Sequence, residues 1–503
     1  ATLARKPHDM SPVRRWSIIA FAALVAVCSY YLMPAELPGA EGPVAIPEAA
    51  RRTICIFAVA VIFWATEVIP LYATSLCVIG MQVLFIAGRG GMGETFPAVD
   101  GSAVTDLPAA QVYFNPFASG IIILFMGGFL LSAAVTKHRL DRKIASRILK
   151  PFAKNPVTLI FSVMLITAFF SMWMSNTATA VMMLAIVAPI VRSMPEDDQF
   201  HRGVILAVPF GANIGGIGTP IGTPPNAVAL AALRKQFPDL NLSFLDWMMM
   251  AVPLALILIV AAGVVLLLMF RPAKGMAMPQ IEAAHEPISK QGWATLVVLT
   301  TAIVLWLSSG VLGLSSAAVA LLAAAALTAL GVLEKRDVDS IDWNVLLLMW
   351  GGLSLGVAMS ETGLIDVIAQ LPFAQFQGFL LAAVVVLLGV TMSTFMSNTA
   401  TANVLVPMVI AIGIGGVGAS GVAADGTGGG VAIQLAVLTA LACSFAMAMP
   451  VSTPPNAIAF ATGKIPAATL IRSGGLLSIL CIATLLVGYQ FVMPTFLKMV
   501  LGG

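Results

Sequence analysis

The hexapeptide SNTATA occurs twice, beginning at Ser175 and at Ser397, each time inside an apolar run of about 40 residues, 156–193 and 371–413. Inside a bilayer every backbone N–H and C=O must be satisfied by the protein, so polar breaks are tolerated only when buried or lining a cavity. One crossing takes roughly 20 residues. Each run is therefore too long for one span and too short for two spans with a solvated loop. A helical hairpin that turns back near the midplane is expected. Ser, Asn and Thr are favoured N-caps, because their side chains accept hydrogen bonds from the first free N–H groups of a helix. SNT then opens the second arm of each hairpin.

The rest of the chain agrees with a membrane setting. Of its 503 residues 59% are hydrophobic and 10% charged, against about 25% charged in soluble domains. Windows around 17–34, 52–87, 117–136, 244–270, 291–333 and 475–495 are apolar enough to span a bilayer. Residues 1–16 carry four Lys/Arg and no long apolar run, so the first span reads as a retained helix rather than a cleaved signal. Together with that segment, the connections 137–155, 192–202, 271–290, 334–342 and 464–472 hold 20 of the 26 Lys/Arg. The remaining six are Arg51, Arg52, Arg89, Arg234, Lys235 and Lys498. The positive-inside rule places the basic connections and the N-terminus in the cytoplasm. Eleven spans plus two re-entrant hairpins leave the C-terminus outside. The expected fold class is an all-α polytopic membrane protein.

The chain also repeats itself. LFMGGFLLSAAVTKHRLDRKIA from Leu124 resembles LMWGGLSLGVAMSETGLIDVIA from Leu348, and PIGTPPNAVALA from Pro220 matches PVSTPPNAIAFA from Pro450. Their offsets of 224 and 230 stay close to the 222 that separates the SNTATA pair, so order is kept with small insertions. By parity the GG segment near 127 runs outward to inward and that near 351 runs the other way, making the halves inverted. Inverted repeats with helices interrupted at midplane characterise secondary transporters. Pro tolerates a first helical turn but interrupts a helix arriving from upstream. The segments 204–236 and 431–463 are thus expected to be spans broken at their centres.

Broken helices offer about +0.5 charge at each start and −0.5 at each end. Neither motif contains Arg, Lys, Asp, Glu or His. A single charge at bilayer centre costs about 3 kcal/mol even on lenient scales, so a dianion must arrive with small cations. Oxygen-rich tips suit a hard ion such as Na⁺. SNT as an ordinary cap, and TPPN as an ordinary kink, remain the bland readings of either motif alone.

Two SNT motifs, with GTPPN and STPPN at the broken helices and FWATEVIPL from Phe63, resemble the divalent anion/sodium symporter family, over about 60 to 500. The resemblance implies a homodimer that moves a transport part past a scaffold, elevator fashion. It implies a first sodium site at Ser171, Ser175, Asn176 and Gly222, and a second at Ser393, Ser397, Asn398 and Ser452. Asn176, Thr177, Asn398, Thr399, Thr223 and Thr453 would meet the substrate carboxylates. Ala180 and Asn403, where some exchangers carry a cation, favour sodium symport. The function implied is sodium-coupled symport of C4-dicarboxylates such as succinate, malate and fumarate, with at least two sodium sites. The alternatives are a sodium-independent exchanger, or a sodium symporter for citrate, tartrate or sulfate. The expected setting is a bacterial inner membrane, with no nucleic-acid partner.

The implied organisation is 1–51 N-terminus and first span, 52–136 scaffold, 137–155 amphipathic cytoplasmic connector, 156–270 first transport part, 271–290 linker, 291–366 second scaffold part, and 367–503 second transport part. Gly127, Gly128, Gly351 and Gly352 are read as close-packing positions. Glu67 is read as a buried scaffold carboxylate bonded to helix ends, with a proton or cation site as the rival. The five cysteines, Cys28, Cys55, Cys77, Cys443 and Cys481, read as small buried hydrophobes. They show no metal-ligand spacing, and His8, His138, His201 and His285 sit in charged connections. A membrane enzyme would need a nucleophile with its base, or a metal cluster, and neither is visible. A channel suits two opposed hairpins less well than alternating access.

Overall fold

The computed structural model describes residues 10–39, 42–194, 198–238, 240, 242–273, 287–371, 378–415 and 429–495. The middle of the expected linker (274–286), His8, His285 and Lys498 lie outside the described residues. The chain is helical almost throughout. Among the described residues ten helices are long and apolar enough to cross a membrane, counting Gln111–Lys137 as one.

The first group comprises α1 (Pro12–Leu32), α2 (Glu48–Thr66), α3 (Leu71–Phe85), α4 (Gln111–Phe114) and α5 (Gly120–Lys137). Between α1 and α2 a short antiparallel ribbon pairs β1 (Glu36–Pro38) with β2 (Pro43–Ala45), Leu37 opposite Val44. It departs from the all-α expectation, in a Pro- and Gly-bearing connection that favours extended backbone over helix. Arg52 anchors the start of α2. Its guanidinium donates to the carbonyls of Phe85 (2.9 Å), Gly93 (2.7 Å) and Phe96 (2.7 Å) and pairs with Glu48 at 3.0 Å.

Glu67 corrects its expected role. It ends α2 in the left-handed conformation (φ 48°) with its side chain exposed, and bonds to no neighbouring helix end. The Thr66–Pro70 turn carries it off the protein's packed face.

The connector is α6 (Leu140–Leu149), which buries Leu140, Ala145 and Leu149 while Arg142, Arg147 and the following Lys150 stay exposed. That is the amphipathic pattern its sequence implies. After it come α7 (Pro156–Ser171), α8 (Asn176–Ser193), α9 (Phe200–Gly216), α10 (Pro224–Gln236) and α11 (Phe244–Met269). The second half supplies α12 (Lys290–Leu307), α13 (Ser309–Leu312), α14 (Ser316–Ala329), α15 (Lys335–Asp339) and α16 (Trp343–Glu361). It continues with α17 (Leu364–Ala369), α18 (Gly378–Phe395), α19 (Asn398–Gly415), α20 (Gly429–Cys443), α21 (Pro454–Ala461) and α22 (Ala467–Phe491).

Close packing follows the glycines. A Cβ on Gly127 of α5 would fall 2.6 Å from the Ala320 carbonyl oxygen of α14, and one on Gly351 of α16 would overlap Ser75 of α3. α9 and α20 are buried along nearly their whole length, with α7 laid along α9 and α19 along α20. The two interrupted helices are thus the core around which the hairpin arms pack.

Candidate functional site

Both SNT motifs sit at helix breaks. α7 ends at Ser171 and α8 starts at Asn176, with Ser175 as N-cap, its hydroxyl accepting from the Ala178 N–H at 3.2 Å. In the second half α18 ends at Phe395 and α19 starts at Asn398. Thr223 and Thr453 stand as N-caps immediately before the Pro-Pro pairs that open α10 and α21. The Thr453 hydroxyl accepts from the Asn456 N–H at 3.3 Å, whereas Thr223 makes no such bond.

The hydrogen bonds at the two tips repeat. The buried Ser171 hydroxyl lies against Asn176 Oδ1 and 2.7 Å from the Ala212 carbonyl of α9. The buried Ser393 hydroxyl lies 2.6 Å from Asn398 Oδ1 and 2.6 Å from the Cys443 carbonyl of α20. Each cluster therefore gathers three oxygens around a single hydroxyl proton, since Ser carries one donor and the others only accept. The excess of lone pairs is unbalanced by any charged side chain, because every bonded partner of these residues is neutral.

The first cluster extends to the break between α9 and α10. A Cβ on Gly216 would stand 2.7 Å from Asn176 Oδ1, and one on Gly222 would stand 2.4 Å from the Gly216 carbonyl oxygen. Only glycine lets these backbones approach so closely. Ser171, Asn176 and Gly222 thus share one neighbourhood, with Ser175 at its edge as the cap. The second cluster joins Ser393 and Asn398, but Ser452 does not bond to either. Its hydroxyl turns back to the Met449 carbonyl at 2.6 Å. Ser397 makes no side-chain bond within the described residues, and its carbonyl accepts from the Thr401 N–H at 2.9 Å.

The hydroxyls of Thr177, Thr223 and Thr399 have no protein partner among the described residues, which leaves them free for a ligand. Thr177 is exposed, whereas Thr399, Thr223 and Thr453 are buried. The two tips are therefore chemically alike but unequally open.

Four asparagines and two carbonyls were not assigned roles from the motifs. Asn226, fully buried, donates through Nδ2 to the carbonyls of Gly216 (3.1 Å), Ile217 (3.3 Å) and Thr219 (2.8 Å), closing the free end of α9. Asn456 does the same for Met447 (2.9 Å) and Met449 (3.1 Å). The last letter of the repeated TPPN was the available signal for both. Asn213 bridges to Thr453 and Asn456, and Asn403 donates to the Leu348 carbonyl at 3.1 Å. Neither belongs to a repeated position. The Ala212 and Cys443 carbonyls have no signal in side-chain letters at all. The Oδ1 atoms of Asn213, Asn226 and Asn403 are buried without a partner.

Comparison with known proteins fits this arrangement. The family described as the sodium:sulfate symporter transmembrane region matches residues 15–497. An uncharacterized transporter of Haemophilus influenzae is 30% identical over 88% of this chain and 92% of its own length. The sodium-dependent high-affinity dicarboxylate transporter 3 of Caenorhabditis elegans is 27% identical over 85% of this chain and 80% of its own. The crystal structure of the Alcanivorax borkumensis YdaH transporter superposes with a TM-score of 0.53 at 11% identity, covering 98% of this chain and 99% of that one. At that identity the last likeness concerns fold alone.

Proposed function

This chain belongs to the sodium:sulfate symporter family and is a membrane transporter rather than an enzyme, and from that premise we propose that it carries C4-dicarboxylates such as succinate, malate or fumarate together with sodium. The observation that carries the reading is the pair of matching clusters, each with three oxygens around one proton. A hard cation takes oxygen ligands and needs no proton, so Na⁺ relieves the lone-pair crowding of these oxygens. The free hydroxyls of Thr177, Thr223 and Thr399 and the starts of α8, α10, α19 and α21 then face the substrate carboxylates. With no fixed positive charge nearby, the sodium ions supply the compensation that a dianion requires at membrane depth.

Alternating access by an elevator motion is supported by the uneven packing of the two halves. In this arrangement α16 lies against α10 and α19, joined by the Asn403–Leu348 bond and by Lys235 and Glu361 at 3.4 Å. The matching faces of α8 and α21 have no comparable contact with α5. With the basic connections cytoplasmic, the closed interface is external and the open one internal. Transport would exchange them, with α2–α5, α12, α14 and α16 as a dimeric scaffold and the hairpins and broken helices as the moving part. The chain would sit in a bacterial inner membrane, N-terminus inside and C-terminus outside.

Uptake of labelled succinate into proteoliposomes, with and without an inward sodium gradient, tests the reading. Accumulation only with the gradient is expected. Equal uptake in both conditions removes the coupling, and competition by sulfate, citrate or tartrate but not succinate removes the substrate assignment.

A further inference from the structure

One buried side chain runs between the two broken helices. Asn213 on α9 is 1% exposed and directly follows Ala212, whose carbonyl accepts from Ser171 at 2.7 Å. Its Nδ2 donates across to Thr453 Oγ1 at 3.1 Å and lies 3.3 Å from Asn456 Oδ1. Asn456 in turn holds the Met449 carbonyl at 3.1 Å, on which the Ser452 hydroxyl also rests at 2.6 Å. An unbroken run of covalent and hydrogen bonds therefore connects Ser171 and Asn176 in one half with Thr453 and Ser452 in the other.

The link has no twin. The residue after Cys443, whose carbonyl matches that of Ala212, is Ser444, and its short hydroxyl turns back to Ala440 of its own helix at 3.4 Å. Asn226, which matches Asn456, accordingly keeps its Oδ1 without a donor. The two broken helices are thus joined by an amide in one direction that has no counterpart in the other, at a position where the two repeats differ. In a low-dielectric interior such a bond cannot be exchanged for one to water, so a shift of the Ala212 carbonyl is passed on rather than dissipated.

Resting on the sodium-symport reading above, we propose that Asn213 is a positioning residue that couples the two sodium sites, so that filling one orders the other. An ion at the first cluster draws on the Ala212 carbonyl and fixes the α9 backbone that carries Asn213. The Asn213 amide then holds Thr453 and Asn456, and through them the α20–α21 turn, in one geometry. Coupling between sites typically changes affinity by about 5- to 150-fold. Its loss is read as a lower Hill coefficient for sodium and a higher half-saturating concentration.

The test is a sodium titration of succinate uptake by the full chain in proteoliposomes. It compares wild type with Asn213→Ala and with Asn213→Leu, which keeps the same branched outline without the amide if the smaller side chain leaves an unstable protein. Trp247→Phe serves as the structural control, since it breaks another buried bond, from Nε1 to the carbonyl of Ile217 just past the end of α9 at 2.9 Å. Expected are a Hill coefficient above 1 for wild type and Trp247→Phe, a coefficient near 1 for both Asn213 variants, and half-saturation raised at least about 5-fold in them. A wild-type coefficient of 1, or full cooperativity in either Asn213 variant, overturns the coupling role while leaving sodium symport intact. Wild-type uptake indifferent to sodium overturns both.

Discussion

Replacing Asn176 by alanine separates the cost of folding from the cost of binding. In the structure Asn176 Oδ1 accepts from Ser171 and lies within the crowd formed by Gly216 and Gly222. The half-buried side chain makes one neutral hydrogen bond within the protein, worth about 1 kcal/mol net. Its oxygen facing a bound cation is a charged contact, worth about 1.5–3 kcal/mol. At 1.4 kcal/mol per decade the sodium affinity falls by about 10- to 140-fold. The thermal midpoint without sodium moves by only about 2–4 °C, and less in a chain this long. Sodium-dependent stabilisation follows RT ln(1 + [Na⁺]/Kd), so a titration of the midpoint against sodium reads the affinity without requiring transport. The same variant is expected to lose succinate uptake at ordinary sodium concentrations and recover part of it at high sodium. A variant whose sodium midpoint stays within twofold of wild type refutes the ligand role of Asn176, and with it the meaning given to the oxygen cluster. Asn398→Ala should behave likewise at the second cluster.

Asn226→Ala should fail differently. It removes a buried donor from the carbonyls of Gly216, Ile217 and Thr219, of which Ile217 keeps Trp247 Nε1 and Thr219 keeps the Gly222 N–H, at about 1–3 kcal/mol for a buried group left unpaired, so reduced folded yield is expected even without sodium. Gly352→Ala would put a Cβ 2.0 Å from the Asn403 side chain; overpacking of about 1–3 kcal/mol is expected, and Asn403→Ala in the same chain should restore most of the thermal midpoint. Arg52→Ala strips donors from the carbonyls of Phe85, Gly93 and Phe96 and leaves Glu48 with only the Tyr30 hydroxyl and the more distant Arg51. A loss of about 3–5 kcal/mol is expected, read as a lower thermal midpoint with no change in sodium affinity. None of the implied sodium or substrate residues titrates, so succinate uptake should fall with pH in step with protonation of the substrate's second carboxyl. A rise in uptake toward acid would point to a protonatable group at the site instead.

Much of this protein is legible in its letters because the bilayer removes alternatives. Runs of apolar residues far longer than a soluble core needs leave the backbone no partner but itself, so helices follow. SNT and TPP inside such runs mark breaks for the same reason, and the structure puts α8, α10, α19 and α21 where those motifs begin. The amphipathic connector at 140–149 was equally readable from its spacing. Glu67 was not. An acidic residue in an apolar stretch looks buried in one dimension, and only the left-handed turn at the end of α2 shows it leaving the packed face.

The sequence by itself therefore determined the class of fold, the duplicated breaks, and the absence of fixed charge in the repeated motifs. Tertiary structure alone decided which backbone oxygens complete each cluster. The Ala212 and Cys443 carbonyls carry no side-chain signature, and they reach Ser171 and Ser393 only through the packing of α7 on α9 and of α18 on α20. It also decided that Asn213 rather than Ser444 crosses between the broken helices, and that α10 and α19 pack against α16 whereas α8 and α21 have no comparable contact with α5. Periodicity and caps act within a few residues of chain, whereas these contacts join positions 41 to 243 residues apart, and their geometry exists only once the helices have packed.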